Sequence, residues 1–199
     1  MANYKTNHGF VIRHRSSDTD NPQEGEIWYN TTTQKLRVAP LLAGSWASGG
    51  NLNQARRYLG GTGTQTAGLA IGGYQPGQPN SGNLSQTEEY NGSAWTESGD
   101  LSTGRYNMSG IGIQTAALAA GGYSTTHLNN TEEYDGTSWT AGGDLNTARM
   151  GHAGNFGSQT AGLMAGGFVS PGETGTDVVE QYNGTSWSEV GDLNTARGY

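Results

Sequence analysis

One short motif recurs four times along this chain and limits what the chain can fold into. Its copies NLNQAR, DLSTGR, DLNTAR and DLNTAR end at Arg56, Arg105, Arg149 and Arg197. The spacings are 49, 44 and 48 residues, and a tryptophan follows nearly the same steps. The tryptophans are Trp46, Trp95, Trp139 and Trp187. A period of this length predicts a tandem array of equivalent structural units.

Each unit contains the signals of four short strands. A small-residue segment follows the arginine, and a second segment such as QTAGLAIGG ends in a glycine pair. The third and fourth segments, such as TEEY and SAWT, are separated by Asn91-Gly92, Asp135-Gly136 or Asn183-Gly184. Asn-Gly between two strand-like segments predicts a tight hairpin with a type I′ turn. We therefore expect a four-stranded antiparallel sheet in every unit.

Composition agrees with turn-rich β structure. Glycine supplies 34 of 199 residues and hydrophobic types only 32%, too little for a helical bundle. Alanine and glycine in the first two strands indicate strands that converge, and the tryptophans are expected to fill the space between adjacent units. Cysteine is absent, which excludes disulfides and thiolate chemistry.

The order arginine, apolar strand, Gly-Gly, variable loop, Glu-x-Tyr, Asn/Asp-Gly and tryptophan resembles the kelch repeat over about residues 46–199. The resemblance implies an all-β fold of kelch-like β-propeller blades, with units at about 50–98, 99–142 and 143–190 and the start of a further unit at 191–199. Propellers normally have at least four blades. We therefore expect a propeller that is incomplete or closed by other chains, either in a homo-oligomer or in a longer parent chain.

Residues 1–46 lie outside the regular repeat and form a separate N-terminal segment. We expect an arm followed by a hairpin of EIWYN and KLRV, which serves attachment or assembly. The stretch EGEIWYNTTTQKLRV, followed by the glycine-rich repeats, resembles structural and tail-fibre proteins of bacteriophages, especially marine ones. That resemblance implies a virion location in a tail or appendage, with other tail proteins as partners.

The repeat arginines recur in register with acidic residues. The acids are Glu88, Glu132 and Glu180. A structural ion pair within each unit explains both, and the alternative is an inward ring of arginines that binds an anionic ligand. Paired acids such as Glu88-Glu89 do not predict a glycosidase site, because neighbours in a strand face opposite ways. The four histidines are scattered, so we expect no metal, no cofactor and no catalytic residue.

Binding is expected in the loops that vary between units, at 74–86, 123–130 and 168–178. The candidate contact residues are Tyr74, Pro76, Tyr123, His127, Phe168 and Pro171, because aromatic rings stack on sugars and on apolar surfaces. A net charge of -7 argues against nucleic acid, and no segment is long and apolar enough for membrane insertion. The sequence predicts a non-enzymatic virion protein that binds a host receptor or glycan. The alternative is a kelch-like protein-interaction scaffold unrelated to a virion.

Overall fold

The computed structural model describes residues 12–17, 26–38, 47–151, 154–170 and 174–198. They contain β-strands, turns and one short 3-10 helix at Asn80–Gly82. The chain divides into two compact units, Met1–Ser48 and Gly49–Tyr199. Trp46 and Pro171 lie outside the described residues.

The N-terminal unit contains one three-stranded sheet. Its strands are β1 (Arg13–Arg15), β2 (Ile27–Asn30) and β3 (Lys35–Val38). The β2–β3 hairpin expected for EIWYN and KLRV is confirmed, and β1 pairs with β2 in parallel. Asn30 forms the turn, because its Oδ1 accepts the backbone N–H groups of Thr32 and Thr33 at 3.0 and 2.9 Å.

The second compact unit, Gly49–Tyr199, contains three four-stranded antiparallel sheets, one for each repeat. Within each sheet the strands follow chain order. The first sheet contains β4 (Gly60–Thr64), β5 (Ala67–Tyr74), β6 (Asn83–Tyr90) and β7 (Trp95–Ser98). The second contains β8 (Ser109–Ile113), β9 (Ala116–Ala120), β10 (Thr131–Tyr134) and β11 (Trp139–Ala141). The third contains β12 (Gly154–Ser158), β13 (Ala161–Ala165), β16 (Val179–Tyr182) and β17 (Trp187–Glu189). Between β13 and β16 a small ribbon pairs β14 (Phe168–Val169) with β15 (Thr174–Gly175). The predicted all-β fold of four-stranded antiparallel sheets is confirmed.

The turn between the third and fourth strands differs from the predicted two-residue turn. Tyr90 pairs with Trp95, so four residues connect the strands. Only the glycine has a positive φ, 93° at Gly92, whereas a type I′ turn needs two such residues. The side chain of Asn91 holds the turn instead, because its Oδ1 accepts the N–H groups of Ser93 and Ala94, both at 3.0 Å. This is an Asx-type turn, which Asp135 and Asn183 repeat.

The first strands of consecutive sheets lie side by side. Thr62 on β4 donates its hydroxyl to the carbonyl of Gly112 on β8 at 2.5 Å. Asn155 on β12 donates its side-chain amide to the carbonyl of Gly110 at 2.8 Å. A Cβ on Gly110 would lie 2.8 Å from the carbonyl oxygen of Gly61. Glycine is therefore required where these backbones approach, which explains why small residues dominate the first strands.

The hydrophobic core lies between consecutive sheets. One cluster, between the first and second sheets, contains Leu69, Ile71, Leu101, Met108, Ala117, Ala119 and Tyr134, with Trp139 packed against it. The other, between the second and third sheets, contains Ile111, Leu118, Ala120, Leu145, Met164, Tyr182 and Trp187. Each sheet thus buries its apolar side chains against its neighbours in the chain.

Each of the three repeat tryptophans in the described residues donates a hydrogen bond to a residue that precedes its own sheet in the chain. Trp139 Nε1 lies 2.9 Å from Thr87 Oγ1 of the first sheet, and Trp187 Nε1 lies 2.9 Å from Thr131 Oγ1 of the second. These two rings therefore lie between sheets. Trp95, in the first sheet, instead donates to the backbone carbonyl of Gly50 at 3.0 Å.

Tyrosine and glutamine side chains also connect consecutive sheets. Tyr134 of the second sheet donates its hydroxyl to Glu89 of the first at 2.8 Å, and Tyr182 bonds to Glu133 in the same way. Burial, aided by these carboxylates, raises the pKa of both tyrosines to about 12. Gln159 Nε2 donates to the carbonyl of Tyr134 at 2.7 Å. The sheets are thus joined by one set of bonds used twice.

The segments that carry the repeat arginines are connectors, residues 49–57, 99–107, 142–150 and 190–198. The connector 99–107 contacts both neighbouring sheets: the carbonyl of Arg105 accepts from Gly73 N at 2.9 Å, and Ser102 N donates to Glu132 at 2.9 Å. Arg197 accepts from Gly167 N at 2.9 Å, so the last connector lies on the third sheet. The first lies on the first sheet, where Asn53 N donates to the carboxylate that Arg56 also binds.

Candidate functional site

Three of the four repeat arginines, each in a connector, form a buried ion pair with a glutamate on the third strand of the sheet that follows in the chain. The pairs are Arg56–Glu88, Arg105–Glu132 and Arg149–Glu180. The nitrogen–oxygen distance is 2.8 Å in the second sheet and 3.0 Å in the third, and no arginine side chain of the three has exposed surface. Burial lowers the pKa of Arg105 and Arg149, and the paired glutamates oppose this shift. The alternative interpretation, an inward ring of the four repeat arginines that binds an anionic ligand, does not fit Arg56, Arg105 and Arg149, because these three are buried and paired with glutamates.

The paired acids divide their roles between two faces of the strand. Glu88 bonds to Arg56 inside its own sheet, whereas Glu89 accepts the hydroxyl of Tyr134 from the next sheet. The two carboxylates therefore do not converge on one substrate position. They instead bind the strand to its own connector on one face and to the next sheet on the other.

A tyrosine cluster forms where the connectors meet the loops that follow the glycine pairs. In each repeat the residue after the arginine makes an antiparallel bridge to the residue after the glycine pair. The bridges are Arg57–Tyr74, Tyr106–Tyr123 and Met150–Phe168. In the second repeat the two backbone N···O distances are 3.0 and 2.8 Å. These bridges fix the loop aromatics against the scaffold.

Rings from two repeats are in contact along this edge. Tyr106 is central: its ring centroid lies 6.0 Å from that of Tyr58 and 5.4 Å from those of Tyr74 and Tyr123. His127 meets Tyr123 edge-to-face at 5.5 Å. We call Arg57, Tyr58, Tyr74, Tyr106, Tyr123 and His127 the tyrosine cluster. Three of the predicted loop residues are thus brought into one surface.

The other predicted loop residues lie apart from this surface or outside the described part. Pro76 is exposed in the loop after β5 and makes no ring contact with the cluster among the described residues. Phe168 bridges to Met150 in the third repeat. Pro171 falls outside the described residues.

Sequence reasoning missed half of the cluster, namely Arg57, Tyr58 and Tyr106. The signal was present, because an aromatic or cationic residue follows the repeat arginine in both Arg-Arg-Tyr and Gly-Arg-Tyr. This signal is weaker than that of the arginine itself, which recurs in all four copies of the motif. Only the backbone bridges show that the position after it faces the loops.

The described residues contain few groups that could bind a metal ion. No group of three or more histidine and acidic side chains is placed to hold a metal ion in these ranges. His14 contacts Tyr29 in the N-terminal unit, and His127 belongs to the cluster. His8 and His152 lie outside the described residues. A hollow of about 200 Å³ between the second and third sheets is lined by Gly112, Ile113, Ala116, Gly157, Ser158, Gln159 and Thr160, which include no ionisable group.

Two further findings complete the description of the site. The described ranges contain no helix with the length and apolarity needed to cross a membrane. No protein-family model and no curated protein matches this chain.

Proposed function

We propose that this chain is a non-enzymatic structural and binding module of a bacteriophage particle, in a tail fibre or another tail-associated appendage. Its three repeat sheets serve as kelch-like blades of an incomplete β-propeller. The tyrosine cluster is its contact surface for a host receptor or glycan. The N-terminal unit attaches the module to other virion proteins.

The blade arrangement is supported by the junctions between sheets. Consecutive first strands approach each other, β4 with β8 and β8 with β12, while each sheet continues away from its first strand in chain order. The tryptophan and tyrosine bonds point back to the preceding sheet at both junctions. Sheets that repeat one packing step in this way are expected in a propeller.

The binding role rests mainly on the tyrosine cluster. A row of aromatic rings is held on two sheets by backbone bridges, in a region formed by variable loops. Recognition residues are commonly found on loops that a rigid scaffold positions. Tyrosine supplies an apolar face and a polar hydroxyl, which suits contact with a sugar or with a mixed protein surface.

The virion assignment rests on the resemblance of residues 24–38 and of the glycine-rich repeats to phage tail proteins. Mass spectrometry of purified particles from the source tests it directly. Copurification of this chain with tail components is expected. Its absence from particles, together with capture by a cellular protein, would instead favour the kelch-like interaction scaffold.

The recognition role is tested by competition. The purified chain is added to host cells before virions, and the remaining free virions are counted. We expect the parent chain to reduce adsorption and a variant with loops 74–86, 123–130 and 168–178 shortened to lose this effect. The control is Ser93→Ala in an exposed turn outside these loops. A loop-shortened variant that competes as well as the parent refutes the role.

Self-association is tested by mass. Static light scattering of the purified chain is expected to give a multiple of the 20.9 kDa protomer mass. A monomeric mass over the accessible concentration range contradicts the homo-oligomer expected from the sequence, and the contact surface is then tested by the competition assay alone.

A further inference from the structure

Tyr58 occupies a backbone conformation that does not suit it. Its φ is 57°, and the residues at the same place in the next repeats, Asn107 and Gly151, have φ values of 52° and 58°. Asparagine and glycine tolerate this region, whereas a bulky residue there is strained. Tyr58 is also 52% exposed. Folding alone would favour asparagine or glycine at this position, so the aromatic ring points to a contact outside the chain.

The neighbouring Arg57 presents a cation beside that ring. Its guanidinium carbon lies 5.1 Å from the ring centroid of Tyr58 and 5.2 Å from that of Tyr74. Arg57 is exposed, and within the described ranges it forms no ion pair, in contrast to Arg56, which pairs with Glu88. Contact with two rings orients the planar guanidinium while leaving its N–H donors available for a carboxylate.

The chain segments around the cluster are free of acidic residues, although the whole protein carries a net charge of -7. These segments are residues 54–63, 74–86, 102–110 and 119–130. The acids lie elsewhere, chiefly on the third strands, in the connectors and in the N-terminal unit. Glu88 and Glu132 pair with Arg56 and Arg105, so Arg57 is the arginine of these segments whose charge no carboxylate of the described residues neutralises. A cation in segments without acids favours an anionic ligand over a neutral or cationic one.

These three observations agree on one ligand chemistry. We infer that the tyrosine cluster binds an acidic saccharide, with a carboxylate of the sugar on Arg57 and the apolar face of a pyranose ring on Tyr58. Tyr106 extends the stacking surface toward Tyr74 and Tyr123. The inference rests on the proposed recognition function and names its ligand class.

Affinity electrophoresis tests the inference, with polygalacturonate, alginate or hyaluronate in the gel and with dextran and galactomannan as neutral counterparts. We expect retardation by at least one acidic polymer, weakening with added salt, and none by the neutral ones. Polyglutamate tests whether charge alone is sufficient. Retardation only by neutral polymers, equal retardation by polyglutamate, or none at all overturns the inference.

Two variants assign the roles of the residues. Arg57→Gln is expected to weaken binding of the acidic polymer by about tenfold or more, since it removes a charge-assisted hydrogen bond. The matched control Arg197→Gln removes an exposed arginine that forms no ion pair in the described part of the chain, and it should leave binding unchanged. Tyr58→Asn introduces the residue of the next repeat at this φ and should weaken binding without loss of thermal stability. Unchanged binding in both cluster variants overturns the inference.

The competition assay separates this inference from the broader function. If no acidic polymer binds but Tyr58→Asn abolishes the block of virion adsorption, recognition stands and the acidic-saccharide inference fails. If the parent chain neither binds an acidic polymer nor blocks adsorption, both fail.

Discussion

Replacement of Glu180 by glutamine should destabilise the protein more than any exposed charge change. The Glu180 carboxylate is fully buried and accepts hydrogen bonds from Arg149 at 3.0 Å, from the backbone N–H and side-chain amide of Asn146 at 2.8 and 2.9 Å, and from Thr147 N at 3.3 Å. Glutamine keeps the shape but removes the charge and turns one acceptor into a donor. Loss of one partner of a buried ion pair costs about 3–5 kcal/mol, because the other charge remains desolvated. For a chain of this size this corresponds to a melting temperature lower by about 6–20 °C.

The chain offers a matched control on the same sheet. Glu189 pairs directly across from Glu180 on β17, but its side chain is exposed. Glu189→Gln should therefore change the unfolding free energy by no more than about 0.5 kcal/mol. Thermal and urea unfolding of the parent and both variants, followed by tryptophan fluorescence, measures the difference. If Glu180→Gln lies within about 1 kcal/mol of Glu189→Gln, the buried ion pair does not stabilise the sheet as we infer.

Three further predictions follow from the same sheets. Trp187→Ala should lower the free energy of unfolding by about 3–5 kcal/mol, since a buried indole is lost. Trp95→Ala should lower it by less, because Trp95 is partly exposed. Urea unfolding that gives the reverse order contradicts the packing described. Asn183→Asp should be neutral, since aspartate holds the same turn in the second repeat, whereas Asn183→Ala should lose about 1 kcal/mol in thermal unfolding. The free energy of unfolding should fall as pH rises from about 10 to 12, because a tyrosine in the unfolded chain releases its proton near pH 10 and folded Tyr182 only near 12. Tyr182→Phe should make this fall less steep. An equally steep fall in that variant contradicts the role of Tyr182.

The sequence predicted the sheets well because their signals are local and repeated. Segments such as QTAGLAIGG and TEEY became β5 and the end of β6, as expected. The turn type was wrong because Asn-Gly has two uses: both residues can adopt positive φ, or asparagine can accept backbone N–H groups while only glycine does so. Choosing between them needs the strand register, which residue spacing alone did not supply.

The candidate site was predicted only in part because its residues come from different repeats. Tyr74, Tyr123 and His127 stood out as loop aromatics, but their proximity depends on how the first and second sheets pack. Tyr58 was missed for a different reason: its positive φ is a property of the backbone that its residue type argues against. Tertiary packing imposes this conformation against the preference of the residue type, so the residue type alone could not indicate Tyr58 as a site residue.

The two outermost connectors have a consequence for assembly. A junction between neighbouring sheets contains one connector, yet the outer face of the first sheet already holds residues 49–57 and that of the third already holds residues 190–198. A second copy that docked through the same geometry would bring a duplicate segment, so one of the two has to detach first. Joining of copies by this route would therefore require one connector to be displaced by the equivalent connector of the other copy.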